Sequence, residues 1–204
     1  MTGTLSRRDF LRRGTTLAAA AVPAFGVWSA THAVDMPGSA APSAPVAIGR
    51  CASYEPAQLS AELNKALDAI GGIRPLVAGK TVTIKLNLTG GPRMQLAGLP
   101  AFRTYHVHPQ FVAATCAALH QAGATRIVLV ESAYSRRPLE EVMADGGWDI
   151  AMINRAGGGV VSWEDTRHMG AWKKYSRIKV PWGGFVYPAF DVNQRYEKTD
   201  VFVS

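Results

Sequence analysis

Lys85 and Asn87 stand two residues apart in TVTIKLNL (81–88), a run otherwise carried by Val82, Ile84, Leu86 and Leu88. In a strand, side chains alternate between faces, so Lys85 and Asn87 share one face and the apolar residues share the other. A lysine in a strand covered on both faces loses its hydration at a cost on the order of several kcal/mol unless an anion meets it. Two uses satisfy that demand. In one, Lys85 gives positive charge, and Asn87 a donor and an acceptor, to a small anionic ligand that the amides of Gly90 and Gly91 approach closely. In the other, Lys85 pairs with an acid of this chain and Asn87 only shapes the turn. Glu131, followed by Ser132 at the end of TRIVLVES (125–132), is the nearest acid on that second reading.

His106 and His108 in TYHVHP (104–109) lie on one side of an extended segment, the arrangement of a chelating pair for a transition metal. A third ligand would come from Glu131, His120 or His168, and none has diagnostic spacing. The other reading makes His108 a helix cap and leaves His106 exposed. Cys51 and Cys116 are too few for a four-cysteine site, so this chain alone ligates no iron–sulfur cluster. Cys116 falls on the apolar face of a predicted helix as a buried free thiol, unless it pairs with Cys51. There is no nucleophile elbow, no GxGxxG after the first strand, no GxxxxGK[ST] loop and no HExxH, so the sequence assigns no reaction and leaves open whether the protein is an enzyme. Lys173, Lys174, Arg177 and Lys179 interleave with Trp172, Tyr175 and Trp182. This pattern reads as a solvated hairpin face whose aromatics cover the core, with polyanion binding as the alternative.

Such residues act only where their elements hold them. PVAIGRC (45–51) reads as a first strand and PAQLSAELNKALDAIGG (56–72) as a helix entered at Pro56 and stopped at Gly71 and Gly72. TVTIKLNL is the second strand, and a Gly- and Pro-rich loop, 89–108, is longer than most connections. PQFVAATCAALHQAG (109–123) is a helix capped by His108, and TRIVLVES is the third strand. Strand and helix in alternation call for parallel pairing through right-handed crossovers. The predicted fold class is therefore α/β, three-layer and Rossmann-like, with a mainly parallel sheet. Residues 138–158 predict two short helices broken at Gly146 and Gly147, VVSWED (160–165) a fourth strand, 175–192 a β-hairpin turned at Gly183 and Gly184, and TDVFVS (199–204) a closing strand. Ligands of such sheets sit beyond the carboxyl ends of the strands. That is where Lys85, Asn87, Glu131 and Ser132 fall, with Arg50 and Cys51 at the end of the first strand.

The chain has 204 residues, 48% hydrophobic and 18% charged, which suits one compact domain. Its formal charge is +7, yet Arg7, Arg8, Arg12 and Arg13 lie in the first 33 residues with one acid, and without that segment 18 basic face 14 acidic side chains. The small excess suits anionic ligands and supports nucleic-acid binding only weakly, and in an exported protein no nucleic-acid partner is expected. SRRDFLRR (6–13), followed by a weakly apolar stretch, resembles a twin-arginine export signal with Arg7 and Arg8 as the pair and Phe10 and Leu11 behind them. The apolar stretch is too short and too rich in Ala and Gly for a stable membrane span. The expected organisation is a signal peptide over 1–33, a flexible linker over 34–45 and an α/β domain over 46–204. The resemblance implies export in the folded state by the twin-arginine machinery to the periplasm or another extracytoplasmic space, with no stable span in the mature chain.

VTIKLNL, HVHP, AALHQAGATRIVLVESA and YEKTDVFVS, in that order and spacing over 46–204, resemble the domain of unknown function 362 family (DUF362). The resemblance marks Lys85, Asn87, His108, Pro109, Glu131 and Ser132 as motif positions without an assigned role. It implies an iron–sulfur-associated family, some members of which carry four-iron cluster motifs that this chain lacks. It also implies a further lysine- and histidine-bearing segment after TDVFVS, so the chain is expected to be the N-terminal part of a longer domain. The expected function is an exported protein that binds a small anionic ligand or a metal in the crevice at the carboxyl strand ends, with Lys85, Asn87, Gly90, Gly91, His108, Glu131 and Ser132 as its ligand-binding candidates. The alternative is a non-catalytic accessory or binding protein of an exported redox system, meeting a redox partner protein through its hairpin.

Overall fold

The structure is a computed structural model, and it describes residues 44–91, 93–132, 135, 137–167 and 174–204. The chain divides into two units, Met1–Ala44 and Pro45–Ser204, and the second is described below. The export-signal residues Arg7, Arg8, Phe10 and Leu11, together with His168, Trp172 and Lys173, lie outside the described residues.

The sheet begins with β1 (Thr81–Lys85), whose β-branched alternation suits a pleated surface buried on both sides. It pairs in parallel with β4 (Arg126–Glu131) on one side and with β8 (Val201–Val203) on the other, and β5 (Val161–Asp165) adds in parallel to β4. The order is β5-β4-β1-β8. This is a mixed α/β fold with a mainly parallel, helix-flanked sheet of the Rossmann-like kind. Val82, Ile84, Leu86 and Leu88 meet Ile127 and Leu129 in one core. Each such side chain contributes about 1.5–3 kcal/mol of burial.

The helices form where the sequence caps them. Helix α1 (Pro56–Ala69) starts on Glu55, whose carboxylate accepts from the amides of Ala57 and Gln58, and it ends where Gly72 N donates to Leu67 O. A single turn, α2 (Arg74–Val77), leads into β1. Helix α3 (Pro109–Gln121) starts on His108, whose Nδ1 accepts from Gln110 N at 3.2 Å, and packs Val112, Cys116 and Leu119 on the core. Helices α4 (Leu139–Asp145) and α5 (Ile150–Ala156) add Leu139, Met143 and Ile153 to the same core. Gly157 ends α5.

Several details differ from the expectation. PVAIGRC is not a strand: Val46 and Ile48 are 83% and 96% exposed, and the segment runs beside Glu62, Lys65, Ala66 and Ala69 of α1. A strand needs a partner, and both sides of β1 are already taken by β4 and β8. Arg50 and Cys51 are therefore not at a strand end. The strand expected over 81–88 stops at Lys85 because the chain changes partner: Leu86 N still donates to Val130 O, whereas Asn87 O accepts from Val107 N of the returning loop. That loop carries its own short ribbon, β2 (Gln95–Leu96) against β3 (Leu99–Pro100), turned at Ala97 and Gly98 with φ of 52° and 74°.

The hairpin forms as expected, β6 (Tyr175–Lys179) antiparallel to β7 (Ala189–Asn193). Four of its aromatics do not cover the core. Trp182, Phe185, Tyr187 and Phe190 are all exposed, because the ribbon is a separate two-stranded sheet. Trp163 of β5 does pack inward, edge to face with Trp148 at 6.4 Å, and its Nε1 donates to Asn154 Oδ1.

Candidate functional site

At the carboxyl ends of β1 and β4, Lys85 Nζ donates to Glu131 Oε2 at 2.7 Å and to Leu86 O at 2.7 Å. The same Oε2 accepts from Leu88 N at 3.0 Å, and Oε1 accepts from Ser132 N at 2.6 Å. Glu131 is buried, whereas the Lys85 side chain stays one-third exposed. A buried carboxylate with three donors is a satisfied one. Lys85, Glu131 and Ser132 are thus brought together, in the pairing arrangement that the sequence offered as the second use of Lys85.

Asn87 is exposed and works on the loop: its Nδ2 donates to Tyr105 O at 3.3 Å and its Oδ1 accepts from Thr89 Oγ1 at 3.2 Å. Gly90 turns with φ of 85°, and Gly91 N donates to Met94 Sδ at 3.3 Å. His106, expected to be exposed on the capping reading, is buried, since the loop folds its ring under Thr89, with Nε2 at 3.0 Å from Thr89 O and Tyr105 edge-on at 4.8 Å. Burial pushes its pKa below the ordinary imidazole value, and the Thr89 carbonyl and Glu131 oppose that only in part. Its Nδ1 has no hydrogen-bond partner among the described residues.

His108 occupies different surroundings. It caps α3, stacks on Tyr54 at 3.7 Å between ring centres and meets Phe102 edge-on. Burial lowers its pKa, and Arg103 lowers it further. Among the described residues no group of three or more His, Cys, Asp or Glu side chains is placed to hold a metal. Cys51 is exposed and Cys116 buried, both free, and burial pushes the Cys116 thiol up to about 12.

Two cavities open along the strand ends. One, of about 490 Å³, is lined by Gly91, Arg93, Met94, Ser135, Arg137, Val142 and Asp145. The other, of about 600 Å³, lies at the carboxyl end of β5, between Trp163, Glu164, Asp165 and Arg167 on one side and Lys174, Asn193, Gln194, Arg195 and Lys198 on the other. Arg137 lines both. Arg195 grips Glu164 with two bonds of 2.6 and 2.8 Å, Arg167 pairs with Asp165 at 2.5 Å, and Arg137 is held by Glu141 and Asp145. Lys198 reaches only the neutral Gln194 Oε1, and Lys174 has no carboxylate partner among the described residues. The second cavity therefore has five cationic side chains against two carboxylates.

Sequence reasoning passed over Arg137, Arg195 and Lys198, which belong to no motif. The usable signal was the rule of carboxyl strand ends, applied to the first three strands but not to the fourth, where the chain reads WEDTR (163–167). What fold and site define together is an α/β protein with a cation-lined cleft beyond the carboxyl end of a parallel edge strand. No family model, curated protein or solved structure matches the chain.

Proposed function

We propose that this is an exported protein that binds a small anionic ligand in the cleft at the carboxyl end of β5. The observation that carries the reading is the surplus of cations in the 600 Å³ cavity, with Lys174 and Lys198 left unneutralised by carboxylates among the described residues. A site at that end of a parallel sheet is where ligands of such folds are held, and Trp163 offers an apolar wall beside the charges. The anion here meets Lys174 and Lys198, while Lys85 and Glu131 keep the neighbouring strand ends in place. Export rests on the pair Arg7 and Arg8 in its twin-arginine setting.

The test uses inorganic phosphate and sulfate as probes in thermal denaturation. Ligand bound only by the folded state adds about 2.7 kcal/mol at a hundred times its dissociation constant, so the Tm of the full chain rises with either anion. In the double variant Lys174→Ala and Lys198→Ala the rise disappears while the Tm without anion stays near that of the parent. An equal rise in parent and variant, or none in the parent at millimolar anion, overturns the reading. For export, Arg7→Lys with Arg8→Lys retains the protein in the cytoplasm; unchanged export sinks that part.

A further inference from the structure

The loop joining β6 to β7 reads VPWGGFVYP (180–188) and carries no charge. It is closed at its base by Val180 N donating to Pro188 O at 2.9 Å and turned by Gly183 and Gly184 with φ of 86° and 65°. Trp182, Phe185, Val186 and Tyr187 are 65%, 99%, 77% and 62% exposed. Four neighbouring apolar side chains held in water are not a solvated hairpin face and mark a contact surface.

The surrounding charge is one-sided. From 166 to 190 the sequence contains no Asp or Glu, while Arg177 and Lys179 lie on β6 behind the tip, Lys179 opposite Ala189 at the tip end of the ribbon. The first acid met on the return strand, Asp191, pairs with Arg177 at 3.7 Å in an exposed position, where such a pair contributes little. A protein partner would have to supply a pocket for each exposed ring. A bilayer interface needs only an uncharged apolar tip, rings such as Trp and Tyr that are apolar along one side and polar at the other, and cations at headgroup height.

We propose that the β6–β7 tip inserts into the interfacial layer of an anionic lipid bilayer, with Trp182, Phe185, Val186 and Tyr187 at the boundary between headgroups and acyl chains and Arg177 and Lys179 against the headgroups. The contact is peripheral: no described helix is long and apolar enough to cross a membrane. The cleft at the end of β5 and the tip are separate surfaces, and either can fail without the other.

Co-sedimentation of the full chain with vesicles of phosphatidylcholine alone, or mixed with phosphatidylglycerol, tests this. Binding to the mixed vesicles is at least tenfold tighter and falls as salt rises. Trp182→Ser with Phe185→Ser leaves the Tm in place and removes binding, and Lys179→Gln weakens it about fivefold, the effect of one cation at an anionic surface. Equal binding to both vesicle types, or none to either, overturns the proposal. So does concentration-dependent dimerisation in sedimentation velocity that the Trp182→Ser and Phe185→Ser variant abolishes, since the tip is then the seat of a second copy of this chain.

Discussion

The Lys85 ammonium and the Glu131 carboxylate meet at 2.7 Å across the carboxyl ends of the two central strands, and the carboxylate is also the acceptor for the amides of Leu88 and Ser132. Removing the acid strands three donors, whereas removing the lysine leaves the carboxylate with two amides. Glu131→Ala is therefore expected to lower stability by about 2–4 kcal/mol and Lys85→Met by about 1–2 kcal/mol, both reduced by the partial exposure of Lys85. Urea unfolding of the two variants checks the order; a larger loss for Lys85→Met means the lysine contributes through more than Glu131, its bond to Leu86 O included.

Acid should weaken the fold before its carboxylates titrate. His106 and His108 both have folded-state pKa values below the ordinary one, chiefly through burial. A depressed folded pKa means that the unfolded chain binds more protons. The stability linked to these rings is present above about pH 6.5 and drains away as pH falls through the lower folded values. Urea midpoints between pH 5 and 8 should fall toward the acid end. His106→Gln, whose amide can still donate to Thr89 O, should flatten the slope, and an unaltered slope would remove His106 from the account.

Thiol chemistry separates the cysteines. Cys51 is exposed, while the buried Cys116 thiol is pushed up to about 12, so almost none of it is thiolate near neutrality. A disulfide-exchange reagent at pH 8 should titrate one thiol per native chain and two after unfolding in denaturant. Two in the native chain would show Cys116 to be accessible, and none in the unfolded chain would show the two to be joined.

Gly157 closes α5 beside Cys116, and a Cβ there would overlap Val161 Cγ2. Its φ of −83° suits any residue, so the cost of Gly157→Ala is steric, about 1–3 kcal/mol. In the Val161→Ala background that cost should shrink, which a double-mutant cycle measures. Additive losses would assign the effect to the helix end itself.

Elements that announce themselves locally were legible in the sequence. The helices at Pro56 and Pro109 carry their own starts and glycine stops, and the β6–β7 turn carries its paired glycines. What depends on distant partners was not. Nothing within PVAIGRC shows that the places beside β1 belong to β4 and β8, and nothing within the aromatic run after Trp163 shows that Trp163 packs inward while Phe185 faces water. The same holds for the site. Lys85 and Glu131 were found because each interrupts an apolar strand, whereas Arg137, Lys174 and Lys198 are ordinary surface residues by type and converge only once 137–198 has folded.

Thr81, the first residue of β1, donates its amide to the Asp200 carboxylate at 2.8 Å, a contact 119 residues distant along the chain, and β8 then lies along β1. The backbone bonding along one flank of β1 therefore waits for one of the longest loop closures in the described chain. Loop entropy of that order must be met before the pairing returns any stability. Folding is accordingly expected to be slow and to stay incomplete until β8 is captured, so the free flank of β1 is the surface through which partly folded chains would meet one another.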